Sequence, residues 1–246
     1  MEPGDVIVFP HGDPHLMSSP AQCGMRELGT VLASAHRYTD TVLIGPEDAR
    51  DTTLVRGFLG CDMRPFNPLL AALPRYLHAP GIAKGWLSHF PLQVVTESRV
   101  GGVGNETMVI RMAELMFIEA VRHQVSRQSN AETGWLAGLV DPIVGIVLAH
   151  LHKSPAEPWT LAELARVSAV SRTVLAERFS QVIGVPPMLY LKRWRLQLAA
   201  DRLARGAAKV ATIATEVGYE SEAAFSRAFK QETGVSPASW RRSRQQ

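Results

Sequence analysis

"GYESEAAFSRAFKQETGVSP", residues 218–237, decides how the chain folds. Ala224, Phe225, Ala228 and Phe229 recur at three- and four-residue spacings, which predicts a helix with one inward stripe. Ser221 stands as an N-cap before it, and Gly218 suits a turn that needs positive φ. The opposite face carries Glu222, Ala223, Ser226, Arg227 and Lys230. Upstream, Val210–Val217 predicts a short first helix. The unit therefore reads as helix, tight turn, helix.

The chain contains this unit twice. "VSAVSRTVLAERFSQVIGVPPMLY" (167–190) lines up with "VGYESEAAFSRAFKQETGVSPASW" (217–240). Ser171 matches Ser221, Leu175 matches Phe225, Phe179 matches Phe229, Gly184 matches Gly234 and Pro187 matches Pro237, all at one offset of 50 positions. Ala165 matches Ala214 at 49, so the turn differs by one residue. Leu161–Val167 is the first helix of the earlier copy, and Ala169 stands in its turn where the later copy has Gly218. The expected inward stripe of the earlier copy is Val174, Leu175, Phe179 and Val182. Its outward residues are Arg172, Thr173, Ala176, Glu177 and Gln181. A helix carrying Leu191, Trp194, Leu198 and Leu203 bridges the two.

Paired helix-turn-helix units place each second helix against base edges in a major groove. Arg pairs bidentately with guanine and Gln with adenine, while small side chains pack on thymine methyls. Helix N-termini at Ser171 and Ser221 offer free amides to phosphate, and the outward Arg and Lys neutralise further phosphates. Charge agrees with this reading. Residues 155–246 hold 14 Lys and Arg against 8 Asp and Glu, a net +6, while 1–154 hold 12 against 15, a net −3. A basic C-terminal third suits a polyanion, and the acidic remainder has another task.

At 246 residues, 46% hydrophobic and 20% charged, the chain has ample core for two domains. It lacks an apolar run of the ~18 residues that span a bilayer, and its start lacks the pattern of a signal peptide. Two cysteines provide neither a disulfide framework nor a zinc ligand set, so a reduced cytoplasm is expected. The linker is "HKSPAEPW" (152–159), where two prolines interrupt a helical pattern. Before it, "TGWLAGLVDPIVGIVLAHLHK" predicts a helix restarted at Asp141-Pro142, with Asp141 as cap and Pro142 first in the helix. Residues 105–127 predict a long helix whose wide apolar face includes Met108, Met112, Leu115, Met116, Ile118, Val121 and Val125. "DVIVF" and "TLVRGFLGC" predict strands, and "RPFNPLLAALPRYLHAPG" a short helix between turns.

Residues 159–242 resemble the DNA-binding domain of the AraC/XylS family of bacterial transcription regulators. The segment "VATIATEVGYESEAAFSRAFKQETGVSPASWRR" carries the likeness most closely. The resemblance implies two recognition helices in successive major grooves, ~34 Å apart on one face of promoter DNA. By position it implies base contacts from Glu222 and Arg227 in the second motif and from Thr173, Ala176 and Glu177 in the first. Ala176 and Glu177 are weak contact chemistry, so Arg172 and Arg227 are expected to dominate. RNA polymerase is a further implied partner.

The N-terminal part resembles a cupin-like sensor domain. In "GDVIVFPHGDPHLMSS", Gly4, Pro10, Gly12 and His15 have the spacing of the second cupin motif, with Ser19 where Asn is usual. "GFLGCDMRPFNPLLAALPRYLH" and "GWLAGLVDPIVGIVLAHLHKSPAEPW" have counterparts in one AraC-type branch. Only three residues precede Gly4, so the expectation is an incomplete barrel or a start inside the gene. His11 and His15 invite a metal reading, but the usual two-His-and-Glu set upstream is missing. No metal and no cofactor are therefore expected. Cys61 reads either as a redox switch, with Cys23 as its partner, or as a small buried apolar residue. The helix at 105–127 is expected to pair subunits into a homodimer, as in related regulators, to pack on its own barrel, or to do both.

The expected fold class is α+β. A partial cupin-like sensor barrel (1–104) precedes a helical dimerisation and connecting segment (105–153), a linker (154–158) and an all-α domain of two helix-turn-helix motifs (159–246). The function these features imply is a cytoplasmic, nucleoid-associated, non-enzymatic regulator of transcription that answers an unidentified small-molecule or redox effector. Two rival readings are an interaction module that pairs with full-length regulators and a cupin metalloenzyme.

Overall fold

The computed structural model describes residues 5–14, 65–80, 89–90, 93–94, 96–97, 103–127 and 133–244. They form two compact units, divided after Ser126, with 65–73 belonging to the second. "TLVRGFLGC", His15, Cys23 and Cys61 lie outside the described residues.

In the first unit β1 (Val6–Val8) pairs antiparallel with β2 (Leu77–Ala79), in the register Val6↔Ala79, Ile7↔His78, Val8↔Leu77. Leu77 and Ala79 are buried and His78 between them is exposed, the two-residue alternation of a half-covered ribbon. This is the one sheet among the described residues. Over it lies α2 (Asn105–Ser126), the expected long helix. Its Ala120 is buried, while Met108, Leu115 and Ile118 of its apolar face are exposed.

The second unit is helical. It begins with α1 (Pro68–Ala72), where the Asn67 side chain accepts the Leu70 N–H and Pro68 opens the helix. α3 (Trp135–Val140) and α4 (Val144–Lys153) follow. The restart at Asp141 differs in detail from expectation. α4 begins at Val144 rather than Pro142, because 141–143 form a turn. Asp141 still caps it, with Oδ1 accepting from the Ile143 and Val144 N–H groups at 3.0 and 2.8 Å.

The repeat appears as α5 (Leu161–Val167) with α6 (Arg172–Ile183), and α8 (Val210–Glu216) with α9 (Glu222–Thr233). Matched positions do matched work. Ser171 and Ser221 each accept an N–H three residues on, both at 3.2 Å. Gly184 and Gly234 close α6 and α9 in the left-handed region. Pro187 and Pro237 open α7 (Pro187–Arg205) and α10 (Pro237–Arg244).

Two cores result. The first joins Leu164, Leu175, Phe179 and Val182 with Ala137, Val144, Val147, Leu148 and Leu151, so α3 and α4 fold with the first copy. The second holds Ile213, Ala214, Phe225, Phe229 and Trp240. α7 serves both, with Tyr190 and Leu191 in the first and Leu196, Ala199, Ala200 and Leu203 in the second. Phe225 and Phe229 are wholly buried, each worth about 2–3 kcal/mol of apolar transfer.

The turns confirm the sequence reading. Gly218 has φ +88°, and Ala169 takes φ +56° without being glycine. A left-handed alanine is strained, while glycine loses more chain entropy on folding. Ala169→Gly is thus expected to stabilise the second unit by about 0.5 kcal/mol, the strain relief exceeding the entropy term. Urea unfolding checks this, and a destabilised variant would mean that the alanine is unstrained.

An aromatic group seals the first core. The Tyr190 hydroxyl accepts from Trp135 Nε1 at 2.8 Å and lies 2.7 Å from His152 Nε2. The His152 ring stacks on Trp194 at 4.2 Å. Burial lowers the His152 pKa and raises that of Tyr190, which favours a protonated phenol donating its O–H to the Nε2 of a neutral imidazole.

Candidate nucleic-acid interface

Each second helix shows its N-terminal turns to solvent. On α6, Arg172, Thr173, Glu177 and Gln181 are exposed and Ala176 is half-buried. On α9, Glu222, Ala223, Arg227 and Lys230 are exposed and Ser226 is half-buried. Ser221 sits at the helix start as its cap. The two sets occupy equivalent faces of equivalent helices, because the caps and the inward stripe hold each in the same rotation.

One residue turns the other way. Val174, expected inward, is 45% exposed. The inward stripe is Leu175, Phe179 and Val182, and Val174 lies one residue, about 100°, off its axis. Its periodicity is ambiguous in the sequence, since it adjoins Leu175. An exposed β-branched residue in the first turn of such a helix is suited to a thymine methyl.

The arginines divide by what they touch. Arg178, on α6, gives Nε and Nη2 to Asp141 Oδ2 at 2.9 and 2.6 Å, and its Nη1 reaches Gln181 Oε1 at 3.3 Å. Arg193 meets Glu232, Arg202 meets Glu216 and Arg205 meets Asp201, at 3.0, 2.6 and 2.7 Å. Arg195 donates to three backbone carbonyls. The side chains of Arg172, Arg227 and Lys230, in contrast, have no ion-pair partner among the described residues. These three cations stand on the exposed faces of α6 and α9, where guanidinium groups can fork onto guanine or phosphate. Glu222, at the positive end of α9, can accept from a cytosine amine.

The Asp141–Arg178 pair, buried at its carboxylate and half-buried at its guanidinium, escapes sequence reading. Its members are 37 positions apart, and nothing in either neighbourhood marks the partner. Among the described residues no group of three or more His, Cys, Asp or Glu is placed to hold a metal ion. No helix there is long and apolar enough to cross a membrane.

Comparison with known proteins finds two family models along the chain. A cupin family model matches residues 1–126 and a helix-turn-helix domain model matches 164–243. A putative AraC-like transcription regulator of Streptomyces antibioticus is 41% identical over 194 residues, covering 78% of this chain and 64% of the relative. The transcriptional regulator AlkR of Acinetobacter baylyi is 30% identical over 244 residues, covering 97% of this chain and 79% of AlkR. Solved structures with a likeness include the DNA-binding domain of AdpA with a target DNA, at 27% identity and TM-score 0.40, over 42% of this chain and 92% of that one. The chain spans just under two thirds of the length of its Streptomyces relatives. With its two motifs, its cupin-type N-terminal region and these relatives, the chain belongs to the AraC family of helix-turn-helix transcription regulators.

Proposed function

We propose that this protein is a sequence-specific regulator of transcription that reads promoter DNA with α6 and α9, under the control of a signal received by its N-terminal region. The observation that carries the reading is the sorting of basic side chains. Arg178, Arg193, Arg195, Arg202 and Arg205 are engaged within the fold, whereas Arg172, Arg227 and Lys230 stand uncommitted on the two recognition faces. Arg172 and Arg227 are the main base contacts. Thr173, Ala176, Glu177, Gln181, Glu222, Ala223 and Ser226 lie against the groove, and Lys230 and the first-turn amides at Ser221 take phosphate. The protein has no enzymatic activity, acts in the cytoplasm on the nucleoid, engages RNA polymerase and pairs through α2. Its effector is a small molecule or an oxidant acting at Cys61 and Cys23.

Selection of duplexes from a random library by the full chain tests this. The expected product has two blocks of enriched bases about one helical turn apart. Failure to enrich any sequence would contradict the reading.

Val174→Ala supplies a finer prediction. The side chain is exposed, so stability should change by less than about 0.5 kcal/mol. Affinity for a selected duplex should fall by about 1 kcal/mol, with thymine preference relaxed at one position of the first block. Competition binding with single-base variants reads this directly, and unaltered base preference would remove Val174 from the interface.

A further inference from the structure

α7 ties the two helix-turn-helix units together, and one of its side chains bridges them. Arg195 lies between Leu191, in the first core, and Leu196, in the second. Its Nε donates to the Pro155 carbonyl and its Nη2 to the Glu157 carbonyl, both at 2.7 Å. Pro155 and Glu157 belong to the strap that leads from α4 into α5. Its Nη1 donates to the Gly218 carbonyl at 3.1 Å, in the turn between α8 and α9. One guanidinium thus holds the entry to the first helix-turn-helix and the turn of the second.

The strap and that turn are also in close contact. A Cβ at Gly218 would lie 2.7 Å from the Ala156 carbonyl oxygen and 2.9 Å from Arg195 Cζ. Glycine is therefore needed here twice, for its positive φ and for this approach. At its other end α9 is held to α7 by Lys192 with Gln231 at 3.2 Å and Arg193 with Glu232 at 3.0 Å. α9 is consequently held through the turn that precedes it and near its own C-terminus.

We infer that Arg195 is a positioning residue which fixes the second recognition helix relative to the first, and so sets the half-site spacing that the protein accepts. The acceptors are backbone carbonyls, so the arrangement depends on the planar, multi-donor fork of arginine. Lysine keeps the charge but cannot serve three diverging carbonyls from one ammonium. This inference rests on the DNA-binding reading above.

The test uses the full chain and a duplex that the wild-type protein selects from a random library, together with two derivatives having one base pair added or removed between the half-sites. Each added pair moves a half-site by about 3.4 Å and turns it by about 34°. A rigidly held pair of helices should therefore lose about tenfold in affinity on either derivative, the scale of a mismatched base. Arg195→Lys should bind the original duplex less tightly and lose less than about threefold more on the derivatives, because its helices can adjust. Gly218→Ala, which wedges the strap from the other side, should flatten the spacing profile likewise and gives a second variant should the first not fold. Unfolding curves identify which variants are folded. A folded variant with the same spacing preference as wild type, whatever its overall affinity, would overturn the inference and leave Arg195 a stabilising residue only. If the wild-type chain selects no sequence, the DNA-binding reading itself falls.

Discussion

Alanine at Asp141 is expected to cost the second unit about 3 kcal/mol of stability. The carboxylate is 6% exposed and does two jobs at once. Oδ1 caps α4 through the Ile143 and Val144 N–H groups, and Oδ2 takes a forked bond from Arg178 on α6. Its removal strands the guanidinium and opens the cap together. Breaking a buried pair costs about 3–5 kcal/mol, and the lower end applies because the Arg178 side chain is 34% exposed. Asp141→Asn keeps the cap and loses the charge, so it should lie between. Urea unfolding of the full chain measures both, and a loss under about 1 kcal/mol for alanine would show the pair to be surface-like.

The same carboxylate predicts a pH dependence. Burial alone would raise its pKa, but the Val144 and Ile143 N–H bonds and the Arg178 bond and charge outweigh burial and hold it below the usual carboxylate value. A depressed pKa contributes stability that is fully present above the unfolded value and is lost as pH falls through the folded one. The gap between wild type and Asp141→Asn should therefore be constant near neutrality and narrow below about pH 4.

Arg227→Ala should weaken binding to a selected duplex by about 1–3 kcal/mol. The residue is exposed on α9 and holds no ion pair among the described residues, so stability should stay within about 0.5 kcal/mol of wild type. Random DNA should lose far less than the selected duplex, since a base contact is missing rather than a general phosphate contact. Arg227→Lys should recover random-DNA binding but not specificity, because an ammonium cannot fork onto guanine. Equal losses on both DNAs would make Arg227 a phosphate contact.

The repeat was legible because its signals are local. Serine caps, left-handed turn positions, prolines at helix starts and the Phe stripe each act within one or two turns of backbone. The outward faces followed from those signals, and Val174 was misplaced because a residue beside the stripe cannot be assigned to it by spacing alone. The Asp141–Arg178 pair and the Arg195 fork were not legible for a different reason. Both join segments far apart in the chain, and the Arg195 acceptors are carbonyls, which every residue carries. That α3 and α4 complete the first core likewise depends on which apolar faces meet, whereas the sequence shows only that such faces exist. The cysteines and most of the expected barrel strands fall outside the described residues.

Titration of the full chain against its selected duplex and against random DNA, at several salt concentrations, tests the central claim most directly. Two recognition helices reading bases predict that the selected duplex is held at least about a thousandfold more tightly than random DNA. They also predict that affinity for both falls steeply with salt, each neutralised phosphate adding about 0.9 to the logarithmic slope. Equal affinity for the two DNAs at every salt concentration would contradict it.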